Sequence, residues 1–152
     1  MLVTRVSRVF FDASVLFAAG YSASGYSRDL IRLAAQGRIQ MVVSQDVLTE
    51  VERNMQRKAP ERVNTYQALL GLIDLEIVAD PSKEEVWAAE EYVVQKDAPI
   101  VAAAINAKPD YLVTYDRRHL LDPPEVAEKS GLNIVTPEVI IQSIRAGDDD
   151  QN

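Results

Sequence analysis

The chain contains no cysteine and only one histidine, His119. Disulfides, thiolate nucleophiles and cysteine-bound zinc are excluded, as is any metal site built on several histidines. Positive charge is also scarce: 16 Lys and Arg stand against 23 Asp and Glu, for a formal net charge of −7. An overall basic surface, the usual source of nucleic-acid affinity, is therefore missing, although a local basic groove is not excluded. Three of the acids, Asp148, Asp149 and Asp150, fall in a polar tail expected to fray, and bound cations would neutralise others. No apolar run is long enough to span a membrane, and the basic-then-apolar start MLVTRVSRVFF is too short for a signal peptide. The expectation is a cytoplasmic protein with no membrane partner.

Repeats, low-complexity stretches and inter-domain linkers are absent too. The phosphate-cradling patterns G-x-G-x-x-G and G-x-x-x-x-G-K-[ST] do not occur, which removes the common nucleotide-binding folds. What remains is a chain of 152 residues, 47% hydrophobic and 26% charged, the profile of one globular domain with a single core. We assign the domain to residues 1–146 and the acidic tail to 147–152.

Val6, Val9, Phe10 and Phe11 form a β-prone run that ends in Asp12, as in a buried strand. Ser24 to Gln36 is predicted as a helix capped by Ser24 and stopped by Gly37. Ile39 to Val43 is a second strand, and Ser44 caps a helix from Gln45 to Arg57. Pro60 opens a further helix carrying Val63, Tyr66, Leu69, Leu70 and Ile73, followed by a short strand from Leu75 to Val78. Pro81 and Ser82 introduce a helix from Lys83 to Gln95. Asp97 is expected to cap the next, which runs to Ala107 and is apolar on nearly every side, as befits a buried helix. Tyr111 to Thr114 and Leu132 to Val135 are strands, and Thr136-Pro137 opens a last helix to about Arg145. Strands alternating with helices imply right-handed crossovers and a three-layer α/β/α fold around a parallel sheet of about five strands.

In such sheets, ligands sit beyond the carboxyl ends of the strands where the strand order reverses. Asp12 directly follows the first strand and Asp116 follows the Tyr111 strand by one residue, so an order of 3-2-1-4-5 makes them neighbours at the switch point. Asp97 starts the helix leading into that strand and approaches the same edge. Carboxylates gathered without Lys or Arg between them repel and have raised pKa values unless a cation neutralises them. With oxygen ligands alone, Mg²⁺ or Mn²⁺ is the ion implied. Each acid also has a purely structural alternative, since Asp12, Asp97 and Asp116 all precede helix starts, where Asp is a preferred cap. On the Gln45 helix Val47, Leu48, Val51 and Met55 make the apolar stripe, with Glu50 and Glu52 on opposite flanks, and periodicity does not choose between them.

The segments FFDASVL, SQDVLTEVERN, KDAPIVAAA and YLVTYDRRHLL resemble, in order and spacing, the four acidic motifs of PIN domains, and together they span nearly the whole chain. The matching positions are Asp12, Glu50, Asp97 and Asp116, with Thr114 at a supporting polar position; Ser14 is read either as a partner for Asp12 or as an ordinary residue of a helix first turn. The resemblance implies a nuclease that uses one or two divalent ions to activate water against a phosphodiester, usually in RNA. It implies Asp12, Asp97 and Asp116 as direct ligands, and Glu50 as ligand to a second ion or as an orienter of water. It further implies a VapC-like toxin of a toxin-antitoxin pair, with an antitoxin protein as partner and a homodimer as a common state. The alternatives are a housekeeping RNA-processing nuclease and a non-catalytic PIN-fold nucleic-acid-binding or scaffold module; intact acids at all four positions speak against the latter.

Other residues are read beside these. Arg53, Arg57, Lys58 and Arg62 continue the helix that carries Glu50 and form either a substrate groove or a solvated face. Arg117 and Arg118 follow Asp116, within reach of a scissile phosphate or as surface charges beside a turn. Tyr21, Tyr26 and Tyr115 are read either as base-stacking groups or as ordinary tyrosines at half-buried positions. His119 is read as structural, because its counterpart in the family is not a ligand. Glu90 sits among Val86, Trp87, Val93 and Val94 and is expected to reach the rim, ahead of pairing at a subunit interface or approaching the metal site. A phospho-receiver would want a second acid beside Asp12 and a Lys after its last strand, where Phe11, Ala13 and Thr136 stand. An Asp-nucleophile phosphatase would want Asp in place of Ser14.

Overall fold

The computed structural model describes residues 5–150, and for 148–150 only the backbone. Strand β1 (Ser7–Phe11) is followed at once by helix α1 (Ala13–Tyr21) and then by α2 (Tyr26–Ala35). Next come β2 (Ile39–Ser44), α3 (Gln45–Lys58), a 3₁₀ turn (Pro60–Arg62), α4 (Val63–Gly71) and β3 (Glu76–Val78). The second half holds α5 (Lys83–Glu90), α6 (Ala98–Ala107), β4 (Tyr111–Val113), α7 (Pro124–Ser130), β5 (Ile134–Val135) and α8 (Pro137–Asp150).

The strands form a five-stranded sheet in the order β3-β2-β1-β4-β5, parallel at every pairing. This bears out the expected class and strand order. A parallel sheet covered on both faces requires continuous apolar runs rather than alternation, and Val9, Phe10, Phe11, Met41, Val42 and Val43 are all fully buried. Strand β1 lies at the centre, its Val9 paired with Met41 of β2 on one side and with Tyr111 of β4 on the other.

Helix α3 follows β2 without a loop because Ser44 caps it, accepting the N–H of Val47 at 3.3 Å. Its buried stripe is Val47, Val51 and Met55, which turns Glu50 toward the carboxyl edge of the sheet and leaves Glu52 exposed. Close approach of α1 holds this helix in place. A Cβ on Gly20 would stand 2.8 Å from Met55 Cε and 3.1 Å from Tyr66 Cδ2, so a larger residue at the crossing would require Met55 and Tyr66 to shift.

Several expected boundaries shift. The first covering helix, α1, fills the stretch after Asp12, and α7 is an additional short helix. Ser24 does not cap α2: Gly25 takes that position with φ 101°, a left-handed conformation that favours glycine. Helix α5 stops at Glu90 rather than Gln95, and α8 continues past Arg145 to Asp150. The first four residues of the N-terminal stretch and the last two of the acidic tail lie outside the described residues. No helix among those described is long and apolar enough to cross a membrane.

Candidate metal centre

The N–H of Asp12 donates to the Val113 carbonyl at 3.1 Å, extending the β1–β4 ladder by one residue and bringing Asp12 against Thr114. Both Asp12 oxygens are engaged. Oδ1 accepts the Ala13 N–H at 2.7 Å, while Oδ2 accepts the Ser14 hydroxyl at 3.0 Å and the Thr114 hydroxyl at 2.6 Å. Thr114 is fully buried, and its oxygen also accepts the N–H of Asp116 at 3.0 Å. Ser14 in turn accepts the N–H of Tyr115 at 3.2 Å. One hydroxyl from each side thus ties the end of β1 to the turn after β4.

That turn is wider than an α-helix. Over Arg117–Leu121 the chain makes π-type bonds, Leu121 N–H to Asp116 C=O at 3.0 Å and Asp122 N–H to Arg117 C=O at 2.8 Å. Such turns recur at functional sites. Asp116 caps it, accepting the His119 N–H on Oδ1 at 3.0 Å, and its Oδ2 lies 3.3 Å from His119 Nδ1.

Asp97 departs from its expected role as a cap. It takes helical backbone angles and makes no side-chain capping bond. Its Oδ2 is instead buried without a hydrogen-bond partner, 3.8 Å from His119 Nδ1. A buried carboxylate oxygen left unsatisfied costs stability unless a ligand or ion completes it.

Asp12, Glu50, Asp97 and Asp116 line one cleft of about 240 Å³ together with Ser14, Phe17, Asn54, Lys58 and Lys96. Burial pushes the Asp97 carboxyl up to about 6, with Asp116 and Asp12 adding to it and Lys96 opposing. Burial likewise raises Asp12, where the Thr114 and Ser14 hydroxyls pull the other way, and Glu50, helped by the charge of Asp12. These are the carboxylates a divalent cation would stabilise in their charged form. Among the described residues one trio, Asp97, Asp116 and His119, offers donor atoms all within 4.8 Å of one another. His119 is therefore not remote structure, and the donor set within reach of an ion includes an imidazole nitrogen beside the oxygens.

A second cleft, of about 380 Å³, adjoins the first along α3 and shares Glu50, Asn54, Lys96 and Ile100 with it, adding Arg53 and Arg57. Arg62, Arg117 and Arg118 are exposed and line neither cleft. Half-buried Glu90 lines neither. Tyr21 is exposed and stacks on Phe17 with ring centroids 5.9 Å apart, and Lys58 Nζ lies 5.7 Å from the same Phe17 ring. Tyr26 is exposed, and the Tyr115 hydroxyl bonds Ser27 at 2.5 Å. Sequence reasoning passed over Asn54 and Lys96. Asn54 stands one helical turn after Glu50, on the same face, and Lys96 immediately precedes Asp97.

A five-stranded parallel sheet with acids converging at the carboxyl edge, where the order reverses beside β1, defines an α/β domain with an acidic centre at its switch point. The PIN domain family model matches residues 8–118, and the chain belongs to the PIN-domain family. Comparison with curated proteins returns no match. Among solved structures, the chain is similar to VapBC2 from Rickettsia felis bound to a promoter DNA fragment (TM-score 0.59, 16% identity, covering 85% of this chain and 98% of that one). It is also similar to a toxin-antitoxin complex from Klebsiella pneumoniae (TM-score 0.59, 19% identity, 85% and 97% covered). A third similar structure is the sarcin-ricin loop cleaving toxin VapC20 from Mycobacterium tuberculosis (TM-score 0.54, 18% identity, 72% and 91% covered).

Proposed function

We propose that this PIN domain is a metal-dependent endoribonuclease that hydrolyses phosphodiester bonds in RNA, and that it is the toxin of a toxin-antitoxin pair. The observation that carries the proposal is the convergence of Asp12, Glu50, Asp97 and Asp116 in a single cleft, with one Asp97 oxygen buried and unpartnered. Mg²⁺ or Mn²⁺ held there would polarise the phosphate, lower the pKa of a bound water and stabilise the leaving oxygen.

The chain's own residues divide the remaining work. Asp97 and Asp116 would hold the cation through their carboxylate oxygens. Asp12 is fixed in orientation by its Ala13, Ser14 and Thr114 donors, and Glu50 faces the same space from α3. Arg53, Arg57 and Lys96 flank the adjoining cleft and would bind backbone phosphates on either side of the cleavage point. Tyr21, exposed and stacked on Phe17, would offer an aromatic face to a base beside the cleft. Complexes of similar folds with antitoxins support an antitoxin partner for this chain.

The test is cleavage of a mixed RNA panel by purified protein. Activity should need Mg²⁺ or Mn²⁺, stop in excess EDTA and return when metal is restored. Cleavage that continues in chelator rejects the mechanism. The toxin role predicts growth arrest on expression, relieved by Asp116→Asn and by the product of a neighbouring gene for a small DNA-binding protein.

A further inference from the structure

His119 carries the one imidazole in the chain, and the acidic motifs leave it without a task. Its position follows from the wide turn after β4. Asp116 accepts the His119 backbone N–H on one oxygen and faces the ring nitrogen with the other, so the π-type turn folds the imidazole back over the carboxylate. The ring then points past Asp116 toward α6, where Asp97 Oδ2 lies 3.8 Å from Nδ1. That separation is too long for a hydrogen bond.

It is, however, a separation suited to two donors sharing an ion. Metal to N or O bonds of about 2.0–2.2 Å place two donors of one ion ~3 Å apart at a right angle and at most ~4.4 Å apart across it. The Nδ1 distances to Asp116 and Asp97, 3.3 and 3.8 Å, both fall in this interval. In the metal-free arrangement His119 Nδ1 hydrogen-bonds Asp116 at 3.3 Å, and the buried Asp97 oxygen beside it has no partner. A cation between the three completes that oxygen and both neighbours at once.

We propose that His119 Nδ1 is a direct donor to the divalent ion held by Asp97 and Asp116, which tilts the centre toward Mn²⁺ over Mg²⁺. The proposal rests on the metal-dependent reading of the cleft. Mg²⁺ keeps carboxylate and water oxygens; Mn²⁺ shares that preference and is the weakest binder of its row, yet of the two it is the first-row transition ion, for which a nitrogen donor adds affinity. To bind, the ring places its proton on Nε2 and offers the Nδ1 lone pair.

Because no other histidine is present, every imidazole signal from tag-free protein belongs to His119. Loss of the free-ion EPR signal measures Mn²⁺ affinity, and electron spin echo envelope modulation of the bound ion reports directly coordinated nitrogen. The wild type should show imidazole ¹⁴N coupling that changes on [¹⁵N]histidine labelling. In His119→Gln the coupling should vanish, with Mn²⁺ affinity falling at least ~10-fold and Mg²⁺ affinity falling less; circular dichroism verifies that this variant is folded, and the wild-type spectrum decides even if it is not. Bound Mn²⁺ without imidazole coupling overturns the proposal and leaves the metal-dependent reading intact. Absence of Mn²⁺ binding at millimolar concentration overturns both.

Discussion

The Thr114 hydroxyl donates to Asp12 Oδ2 at 2.6 Å across the seam between β4 and β1. Both groups are buried, so no water replaces the bond when it is lost. Thr114→Val keeps the shape and removes the donor, and should cost about 1.5–3 kcal/mol in urea denaturation, the range for hydrogen bonds to charged groups. Cleavage should fall as well, because Asp12 and the Asp116 backbone share that hydroxyl. Thr114→Ser should retain most of both. Equal stability of the wild type and Thr114→Val would show that the bond does not hold the site together.

Metal-free protein should be more stable at pH 5 than at pH 7.5. The Asp97 carboxyl titrates at about 6 in the fold against about 3.9 unfolded. Between those values the native state binds more protons, and stability falls as pH rises. Raised Asp12 and Glu50 act in the same direction. The lowered carboxyls, Asp110 and Glu85, lose their contribution only at more acid pH and do not oppose the trend. Thermal melts in EDTA test the sign. Saturating Mn²⁺ should flatten the slope, and Asp97→Asn should raise Tm at pH 7.5 without metal; a metal-free Tm that rises from pH 5 to 7.5 contradicts the argument.

Glu50→Gln and Glu52→Gln separate cleft from surface on the same helix. Glu50 lines the cleft with the three aspartates, whereas Glu52 is exposed. The first change should slow single-turnover RNA cleavage at limiting metal by at least ~10-fold, or ~1.4 kcal/mol. The second should leave the rate near normal and stability within about 0.5 kcal/mol. An inactive Glu52→Gln would place the helix face wrongly.

RNA binding should owe its salt dependence to the cleft along α3. In an Asp116→Asn background that binds without cutting, Arg53→Ala, Arg57→Ala and Lys96→Ala should each reduce the slope of log K against log salt by about 0.7, the single-strand value per phosphate contact. Arg117→Ala and Arg118→Ala, outside both clefts, should leave it unchanged. Fluorescence anisotropy across a salt series distinguishes the two groups, and the opposite ranking would move the RNA path to the far side of Asp116.

Legibility in the sequence followed the physical origin of each feature. The strands announce themselves as short unbroken apolar runs, since both faces of the sheet are covered, and α3 announces itself because burial of one face imposes a helical period. Helix α1 does not, since Ala13, Val15, Leu16, Ala19 and Gly20 are all buried and no polar face marks its turns. Helix α7 is hard to read for the opposite reason, with Val126 its one buried residue. Asp97 precedes a helix and so resembles a cap, yet its carboxylate turns into the cleft, a choice made by tertiary packing. His119 is placed by a π-type turn that leaves no compositional trace.

Strand β1 takes its second neighbour from far along the chain, and the Thr114–Asp12 bond joins residues 102 positions apart. On a ribosome adding ~5–20 residues per second, β1 waits roughly 5–20 s for β4. Through that interval Val9, Phe10 and Phe11 present an unpaired apolar edge, the kind that invites aggregation or a chaperone. Asp116 arrives just after β4, so the nascent chain has no assembled cleft until most of its length has been synthesised; under the nuclease reading proposed above, cutting capacity would then appear in one step, late enough to spare the ribosome that makes it.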